Sequence, residues 1–284
     1  MGFIEAIILG LIQGLTEFLP ISSSAHLRIA GEFLPSATDP GATFTAITQL
    51  GTELAVLLYF RKDIARIITR WFQQFGRGSG GAHAEVIDRS HPDVRLGWLI
   101  IIGTIPIVLV GYFAQEYIRS VFRSLWLVAT VLIVFGIILG LVDLIASKAK
   151  QLDDLGYRDG IIIGVAQMLA LIPGVSRSGA TMTAGRALGY SRPAAARFGF
   201  LLAVPAVFGS GLYELVHSFG EPEGAYGYAE TFVATIVAFV VGFAVIAFLM
   251  RYIEKRSFLP FVIYRILLGS TLLVLLGLGV LNPL

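Results

Sequence analysis

Two short segments, far apart in the chain, carry most of the polar side chains that could do chemistry. The first, QGLTEFLPISSSAH at residues 13–26, holds an amide, a carboxylate, three consecutive serines and an imidazole. The second, PGVSRSGAT at residues 173–181, holds a guanidinium among hydroxyls and glycines. A carboxylate or imidazole can move a proton, a serine can act as a nucleophile, and a guanidinium can neutralise an anion. Together the two segments contain the groups that phosphoryl transfer requires.

Gln13 and Glu17 in the first segment are spaced to share one face of a helix, because residues four positions apart lie one turn from each other. That face presents a carboxylate and an amide oxygen. Oxygen ligands of this kind suit Mg²⁺ or Ca²⁺, which often bind through one or two carboxylates together with the oxygens of a phosphate substrate. The spacing therefore predicts a divalent cation at Glu17 and Gln13. The alternative is that Glu17 only hydrogen-bonds the serines of its own loop.

The second segment has the composition of an anion-binding loop. Small residues such as Gly174 let backbone amides turn towards an anion, and the hydroxyls of Ser176 and Ser178 add donors. Arg177 adds a planar, permanently charged fork that matches phosphate oxygens. A helix opening at about Ala180 would also point its positive dipole end at the anion. We therefore predict a phosphate-binding loop; the alternative is that Arg177 extends towards a membrane interface.

The elements that must position these segments follow from a strongly apolar composition. Of the 284 residues, 56% are hydrophobic and 14% are charged, whereas a soluble domain carries roughly 25% charged residues. The formal net charge of +2 gives no basic surface for nucleic acid, and the absence of cysteine excludes disulfides and thiolate metal sites. The composition predicts an all-α integral membrane protein that contacts membrane lipids.

Six apolar runs are long enough to cross a bilayer, which takes about 20 residues per helix. They are residues 42–60, 96–114, 125–146, 198–216, 231–250 and 261–281. Two shorter apolar stretches, 3–19 and 161–172, run into the two polar segments at a proline. We predict that these two form re-entrant helical hairpins, which enter the bilayer and turn back within it.

The charges of the loops predict the orientation. The connection 61–95 holds seven basic residues against four acidic ones, which favours the cytoplasmic side. Within it, residues 62–75 form a basic amphipathic stretch that is predicted to lie on the inner membrane surface. The connection 218–230 has three glutamates and no lysine or arginine, which suits the outside.

An internal repeat relates the two polar segments. Gly10 and Gln13 recur as Gly164 and Gln167, and the Ser-x-Ser at residues 22–24 recurs at 176–178, each 154 positions further along the chain. Each half, about 1–150 and 151–284, then reads as a hairpin followed by three spans. Because three is odd, the second half would insert with opposite polarity, and the two hairpins would meet near the midplane of a single membrane domain.

The segments QGLTEFLPISSSAHL and LIPGVSRSGATMTAGRALG resemble the two signature regions of the undecaprenyl-diphosphate phosphatase family, the membrane phosphatases associated with bacitracin resistance. The resemblance covers almost the whole chain. The first family pattern, Glu or Gln, three residues and then Glu, falls on Gln13 and Glu17, where many members have a glutamate at the first position. The usual Ser-Ser-Thr-Gly-His is Ser-Ser-Ser-Ala-His at residues 22–26, and Pro-Gly-x-Ser-Arg-Ser-x-x-Thr is intact at 173–181.

The resemblance implies hydrolysis of undecaprenyl diphosphate to the monophosphate and inorganic phosphate, which returns the lipid carrier to cell-wall synthesis. It implies a bacterial cytoplasmic membrane, a site facing the periplasmic or extracellular side, a polyprenyl diphosphate substrate and dependence on Mg²⁺ or Ca²⁺. The oligomeric state, a homodimer included, is left open.

The family resemblance and the chemistry together suggest roles. Glu17, assisted by Gln13, holds the cation, Arg177 neutralises the transferred phosphoryl group, and Ser23 attacks with His26 as base or acid. Attack by water that His26 or Glu17 activates is the alternative. Five further residues are predicted to bind or orient the substrate: Ser22, Gly174, Ser176, Ser178 and Thr181.

Two other interpretations belong to different classes of protein. Broken helices with buried carboxylates are typical of secondary transporters, in which Glu17 and Glu53 would carry protons or sodium; a lipid flippase could use the same cavity. Gln49 and Glu53 either help line the site, or Glu53 pairs with an arginine such as Arg186. Two other charged residues within spans, Asp143 and Arg265, are expected to be interfacial.

Overall fold

The computed structural model describes residues 2–34, 40–75, 90–114, 124–219 and 226–282. Within these residues the regular elements are helices, and an isolated bridge pairs Lys150 with Tyr190. The α-helices in chain order are α1 (Gly2–Thr16), α2 (Ser23–Gly31), α3 (Gly41–Tyr59), α4 (Arg61–Gln73), α5 (Pro92–Phe113), α6 (Leu125–Ile145), α7 (Tyr157–Met168), α8 (Arg177–Ala187), α9 (Arg192–Ser218), α10 (Tyr228–Lys255) and α11 (Leu259–Gly277). Parts of the predicted loops, at 76–89, 115–123 and 220–225, lie outside the described residues.

Five helices, α5, α6, α9, α10 and α11, are long and apolar enough to cross a membrane. A sixth span is obtained if α3 and α4, which meet at a bend of 77°, are taken together. Each of the six runs predicted from hydropathy overlaps one of these helices, and the run 261–281 extends four residues beyond the end of α11. The chain is therefore an all-α, multi-pass integral membrane protein, as its composition predicts.

The two predicted hairpins are helices that break and resume. At 1.5 Å per residue, α1 with 15 residues and α7 with 12 residues are both shorter than the roughly 30 Å of a hydrocarbon core. Each stops before a proline, and a short helix, α2 or α8, begins a few residues later. We call residues 20–24 the first turn and residues 173–178 the second turn. Helix α8 begins at Arg177, not at about Ala180 as the sequence suggested.

The residue that caps the start of each short helix is a serine, and both serines have the same unusual backbone. Ser22 has φ 74° and Ser176 has φ 72°, a region that side-chain-bearing residues rarely occupy and that costs about 1–3 kcal/mol. Each hydroxyl offsets part of that cost, because it accepts a hydrogen bond from the amide three residues later, that of Ala25 or Gly179. This cap also explains why α8 begins directly after Ser176.

Each broken helix packs against a span from the other half of the chain. Helix α1 lies along α10, and α7 lies along α5. Glycines allow the close approach: a Cβ added at Gly10 would lie 2.4 Å from the Ala234 carbonyl oxygen, and one at Gly164 would lie 2.5 Å from Gly103 Cα. The two halves of the chain therefore pack into each other. The opposite polarity of the two halves and their boundary at about residue 150 remain predictions.

Asp143 is buried near the end of α6, and its expected place at the membrane interface stays a prediction. Its Oδ1 accepts hydrogen bonds from Arg186 Nε (3.0 Å) and Arg192 Nε (2.7 Å), and its Oδ2 accepts one from the Phe258 amide (3.1 Å). A buried carboxylate requires such partners, since an unpaired buried charge is costly. Arg186 therefore pairs with Asp143, and the alternative in which it pairs with Glu53 is wrong.

Helix α4 confirms the amphipathic stretch predicted at 62–75. It buries Ile67 and leaves Ile68 and Phe72 exposed by 50% and 64%. Arg61 and Lys62 are also exposed. Its predicted place on the inner membrane surface stays a prediction.

Candidate active site

The two polar segments meet at the carboxylate of Glu17, which follows α1 at the break. Its Oε2 accepts hydrogen bonds from Gln13 Nε2 (2.8 Å) and Ser23 Oγ (2.5 Å). Its Oε1 lies 3.2 Å from Arg177 Nη2, and the Glu17 side chain is only 6% exposed. The alternative in which Glu17 bonds the serines of its loop is thus partly correct, but the same carboxylate also binds the arginine of the second turn.

Ser23 and Arg177 hold equivalent places in their helices. Ser23 is the first residue of α2, and Arg177 is the first residue of α8. The amino-terminal ends of both helices therefore lie at Glu17. Since each helix carries a partial positive charge at that end, the two termini add to the guanidinium and make the region suited to an anion.

Direct hydrogen bonds fasten the two turns to each other. The Gly174 amide donates to Ser22 Oγ (3.1 Å), and Ser178 Oγ donates to the Leu19 carbonyl (3.1 Å). These contacts join residues more than 150 positions apart and hold the two turns against each other.

Gly174 has to be glycine in the second turn. Its φ is +97°, and an added Cβ would lie 2.8 Å from the Val128 carbonyl oxygen in α6. A larger residue would therefore meet both backbone strain and a steric clash.

The other residues predicted to bind substrate hold the second turn together. Ser176 Oγ accepts from the Gly179 amide and lies 3.0 Å from Ser178 Oγ. Thr181 Oγ1 donates to the Arg177 carbonyl (3.0 Å), and it leaves room only for a glycine at position 199. The structure places these groups around Arg177, and their contact with substrate stays a prediction.

His26 contacts the first turn and α11 and not Ser23. Its Nδ1 lies 2.7 Å from the Ser22 carbonyl oxygen and its Nε2 lies 2.6 Å from the Tyr264 hydroxyl. Because a carbonyl only accepts, Nδ1 carries the hydrogen, and in the neutral ring Nε2 accepts from the phenol. Ser23 donates instead to Glu17. Tyr264 was missed from the sequence, since it lies 238 positions from His26 in an apolar helix.

Glu53 lies near the same carboxylate. It is 2% exposed, and it interacts electrostatically with Arg177 and Glu17. Gln49, one turn earlier in α3, is half-buried. Of the two alternatives for Glu53, the structure supports a place at the site.

Arg265 is the second residue that sequence analysis misjudged. It was expected to be interfacial, but it is fully buried. Its Nη1 donates to the carbonyls of Pro20 and Val175, both at 3.0 Å, and its Nη2 donates to that of Gly174 at 2.7 Å. The guanidinium therefore lies between the two turns.

The donor set fits a hard divalent cation that also binds substrate. Gln13 Oε1 and Glu53 Oε1 are buried and have no hydrogen-bond partner in the described part of the chain. Within the same residues no three His, Cys, Asp or Glu side chains converge as a complete metal site. One or two carboxylates, an amide oxygen and phosphate oxygens form the kind of set that Mg²⁺ uses.

Comparison with known proteins identifies relatives along the whole chain. An undecaprenyl-diphosphatase of Micrococcus luteus is 62% identical over 284 residues, which cover 99% of this chain and 100% of that protein. One from Clavibacter michiganensis subsp. michiganensis is 63% identical over 98% of each chain. An undecaprenyl-diphosphatase 2 of Agrobacterium fabrum is 55% identical over 99% of this chain and 98% of that protein. The family model described as bacitracin resistance protein BacA matches residues 6–271, and the chain belongs to this family.

Proposed function

We propose that this protein hydrolyses undecaprenyl diphosphate to undecaprenyl phosphate and inorganic phosphate at the cluster around Glu17. The relatives that carry this name match the chain from end to end. The observation that carries the proposal is that Ser23 Oγ and the Arg177 guanidinium lie on the two oxygens of one buried carboxylate. The reaction returns the lipid carrier to cell-wall synthesis, and with that it confers bacitracin resistance.

Arg177 and the ends of α2 and α8 bind the diphosphate. The guanidinium lies 3.2 Å from Glu17 Oε1. A terminal phosphate offers more oxygens and more charge, so the fork turns to it and forms two parallel hydrogen bonds. This anion-binding arrangement favours an enzyme over a transporter of coupling ions, because a neutral solute or a sodium ion has no use for it.

Ser23 is the nucleophile and Glu17 is its base. Ser23 Oγ attacks the terminal phosphorus while its proton passes to Glu17 Oε2, 2.5 Å away. The bond between that phosphorus and the bridging oxygen breaks, and undecaprenyl phosphate leaves with the electron pair and takes the proton from Glu17. Water then attacks the phosphoserine, Glu17 takes a proton from the water, and Ser23 Oγ leaves and recovers it. The products are free serine and inorganic phosphate.

His26 acts by holding the first turn. Its Nδ1–H donates to the Ser22 carbonyl, and Tyr264 anchors the other side of the ring. The ring therefore fixes the residue that precedes Ser23. This assignment replaces a direct proton transfer from Ser23 to His26, for which Glu17 is better placed.

Glu17 and the Gln13 amide oxygen would hold Mg²⁺ or Ca²⁺, with Glu53 beside them. Such an ion, when bound, neutralises charge on the diphosphate oxygens. The buried oxygens of Gln13 and Glu53 that lack partners support this placement.

The site faces the outer side of the bacterial cytoplasmic membrane. A Cβ on Gly2 at the start of α1 would lie 3.4 Å from Glu230 at the start of α10, so the first hairpin begins where α10 begins. The acidic connection before α10 is predicted to be outside, and the basic one after α3 inside. The first hairpin thus enters from the outer surface.

Phosphate release from a prenyl diphosphate by the purified protein with Mg²⁺ tests the reaction. We expect Glu17→Gln and Ser23→Ala each to lower kcat by roughly 10³-fold, since each removes a group on the reacting atoms. Glu5→Gln is the matched control, because Glu5 lies on α1, is buried and accepts a hydrogen bond from the Tyr226 hydroxyl at 3.3 Å. It should retain wild-type turnover.

Acid quenching and mass spectrometry separate the two mechanisms. A phosphoserine at Ser23 that accumulates during turnover supports attack by serine. Near-normal turnover of Ser23→Ala would instead assign the attack to water activated by Glu17. Solute uptake into proteoliposomes without any phosphate release from wild type would overturn the enzymatic function itself.

A further inference from the structure

Arg265 carries a full positive charge into the centre of the protein, and its partners are backbone carbonyls. Besides Pro20, Gly174 and Val175 it donates through Nε to the Leu132 carbonyl in α6 at 3.2 Å. All four acceptors are neutral. Burying a guanidinium at membrane depth is costly unless every donor is satisfied, so this residue marks a functional requirement by default.

Three of the four acceptors of Arg265 lie in the two turns, two or three residues before Ser23 or Arg177. Pro20 precedes Ser23 by three residues, and Val175 precedes Arg177 by two. Nη1 bonds the carbonyls of both Pro20 and Val175, so a single nitrogen atom sets the spacing of the two turns. The planar guanidinium has no internal rotation that could let one turn move while the other stays.

Two membrane spans hold Arg265 itself in place. It belongs to α11, and its Nε bonds α6 at Leu132. A Cβ added at Gly136, one turn further along α6, would lie 3.2 Å from Arg265 Cβ. The side chain therefore transmits the position of the α6–α11 pair to the two turns.

We infer that Arg265 is a positioning residue that sets the separation of Ser23 from Arg177 across Glu17 and thereby sets kcat. The inference rests on the proposed function. It predicts a loss of turnover that exceeds any loss of folding, because a misplacement of about 1 Å in a reacting group can cost roughly 10²-fold in rate.

The first test compares Arg265→Lys with Arg186→Lys. Both arginines are fully buried and both donate to several carbonyls, but Arg186 lies at the Asp143 cluster, away from Glu17. Lysine keeps the charge and loses the fork. We expect Arg265→Lys to lower kcat by roughly tenfold to hundredfold, with KM changed by less than about threefold, while Arg186→Lys keeps kcat. Thermal unfolding of both variants measures the stability lost.

The second test moves Arg265 without touching it. Gly136→Ala presses on Arg265 Cβ, whereas Gly140→Ala, one turn along the same helix, presses on Val262 Cγ1 at 3.0 Å. Both add one methyl group to the α6–α11 contact. We expect kcat to fall about threefold to tenfold in Gly136→Ala, which corresponds to a displacement smaller than that of Arg265→Lys, and to stay unchanged in Gly140→Ala.

The outcomes separate this inference from the proposed function. If wild type releases no phosphate, the proposed function fails. If wild type is active and Arg265→Lys keeps its kcat, or loses it only in proportion to a folded fraction that falls equally in Arg186→Lys, the positioning role is overturned. Equal kcat values in Gly136→Ala and Gly140→Ala would also overturn it.

Discussion

The first and second turns have the same backbone and carry different chemistry. In both, a serine with φ above 70° caps the following helix, and a second serine lies two residues later. At the residue between them one turn has Ser23 and the other has Arg177, and both of these side chains reach Glu17. One repeated scaffold thus delivers a nucleophile and an anion-binding group to opposite oxygens of one carboxylate.

Equivalent positions that differ between the two halves indicate which residues take part in catalysis. Glu17 corresponds to Leu171 in the second half, and His26 corresponds to Ala180. The second half therefore has neither a carboxylate nor an imidazole at these two equivalent positions. Gln167, the counterpart of Gln13, is buried and its amide has no hydrogen-bond partner in the described part of the chain. The comparison teaches that the serine frame is structural and that the reaction depends on residues that only one half has.

The largest expected effect on activity comes from replacing Arg177, the residue that distinguishes the second turn from the first, by lysine. Arg177→Lys should lower kcat/KM by roughly 10²-fold, since a point charge lacks the bidentate geometry for phosphate. Arg192→Lys is the control, because Arg192 also makes a paired contact, with both oxygens of Asp143 at 2.7 and 2.9 Å. Near-normal phosphate release by Arg177→Lys would remove the anion-binding role from the second turn.

His26 has an alanine, Ala180, as its counterpart in the second half, and loss of the Tyr264 hydroxyl tests whether the position of its ring matters. Tyr264→Phe should lower kcat by about threefold to tenfold, the equivalent of one hydrogen bond of about 1 kcal/mol. Tyr228→Phe also loses a hydroxyl bond, to the Ser218 carbonyl, and should keep kcat. Steady-state phosphate release measures both, and a wild-type rate for Tyr264→Phe would mean that His26 needs no anchor.

The smallest expected effect is the difference in the free energy of unfolding between alanine variants of the two capping serines, Ser22 and Ser176. Ser176→Ala should lower the free energy of unfolding by about 1 kcal/mol through loss of its cap. Ser22→Ala should lower it by about 1 kcal/mol more, because the Gly174 amide then also loses its acceptor. Denaturant unfolding in detergent measures the difference, with Ser22→Gly and Ser176→Gly as milder variants. Equal losses in the two alanine variants would show that the bond between the turns adds nothing.

Much of the fold and the meeting of the two segments could be predicted from the sequence. Apolar runs fixed by bilayer thickness located the spans, and prolines located the two breaks. The repeat and the chemistry of the two segments predicted that they meet, and the contact of Arg177 with Glu17 shows that they do. Such inferences work because the signals are local in the sequence and strongly constrained by the bilayer.

The contacts that sequence analysis missed join distant residues through apolar helices. Arg265 and Tyr264 belong to a hydrophobic span, and nothing in that pattern shows that one is buried between two turns or that the other reaches His26. The start of α8 was misplaced because the cap depends on a serine with positive φ, which composition does not reveal. Pairings such as that of Arg186 with Asp143 depend on helix packing.

The exchange of packing partners between the halves dictates the order of events during biosynthesis. Helix α1 leaves the ribosome well before its main neighbour, α10, which starts at Tyr228. At about 5–20 residues per second, α1 waits on the order of ten seconds or more beside lipid before that neighbour emerges. The guanidinium that joins the turns is translated later still, at position 265, so a nascent chain cannot become active until α11 has been inserted.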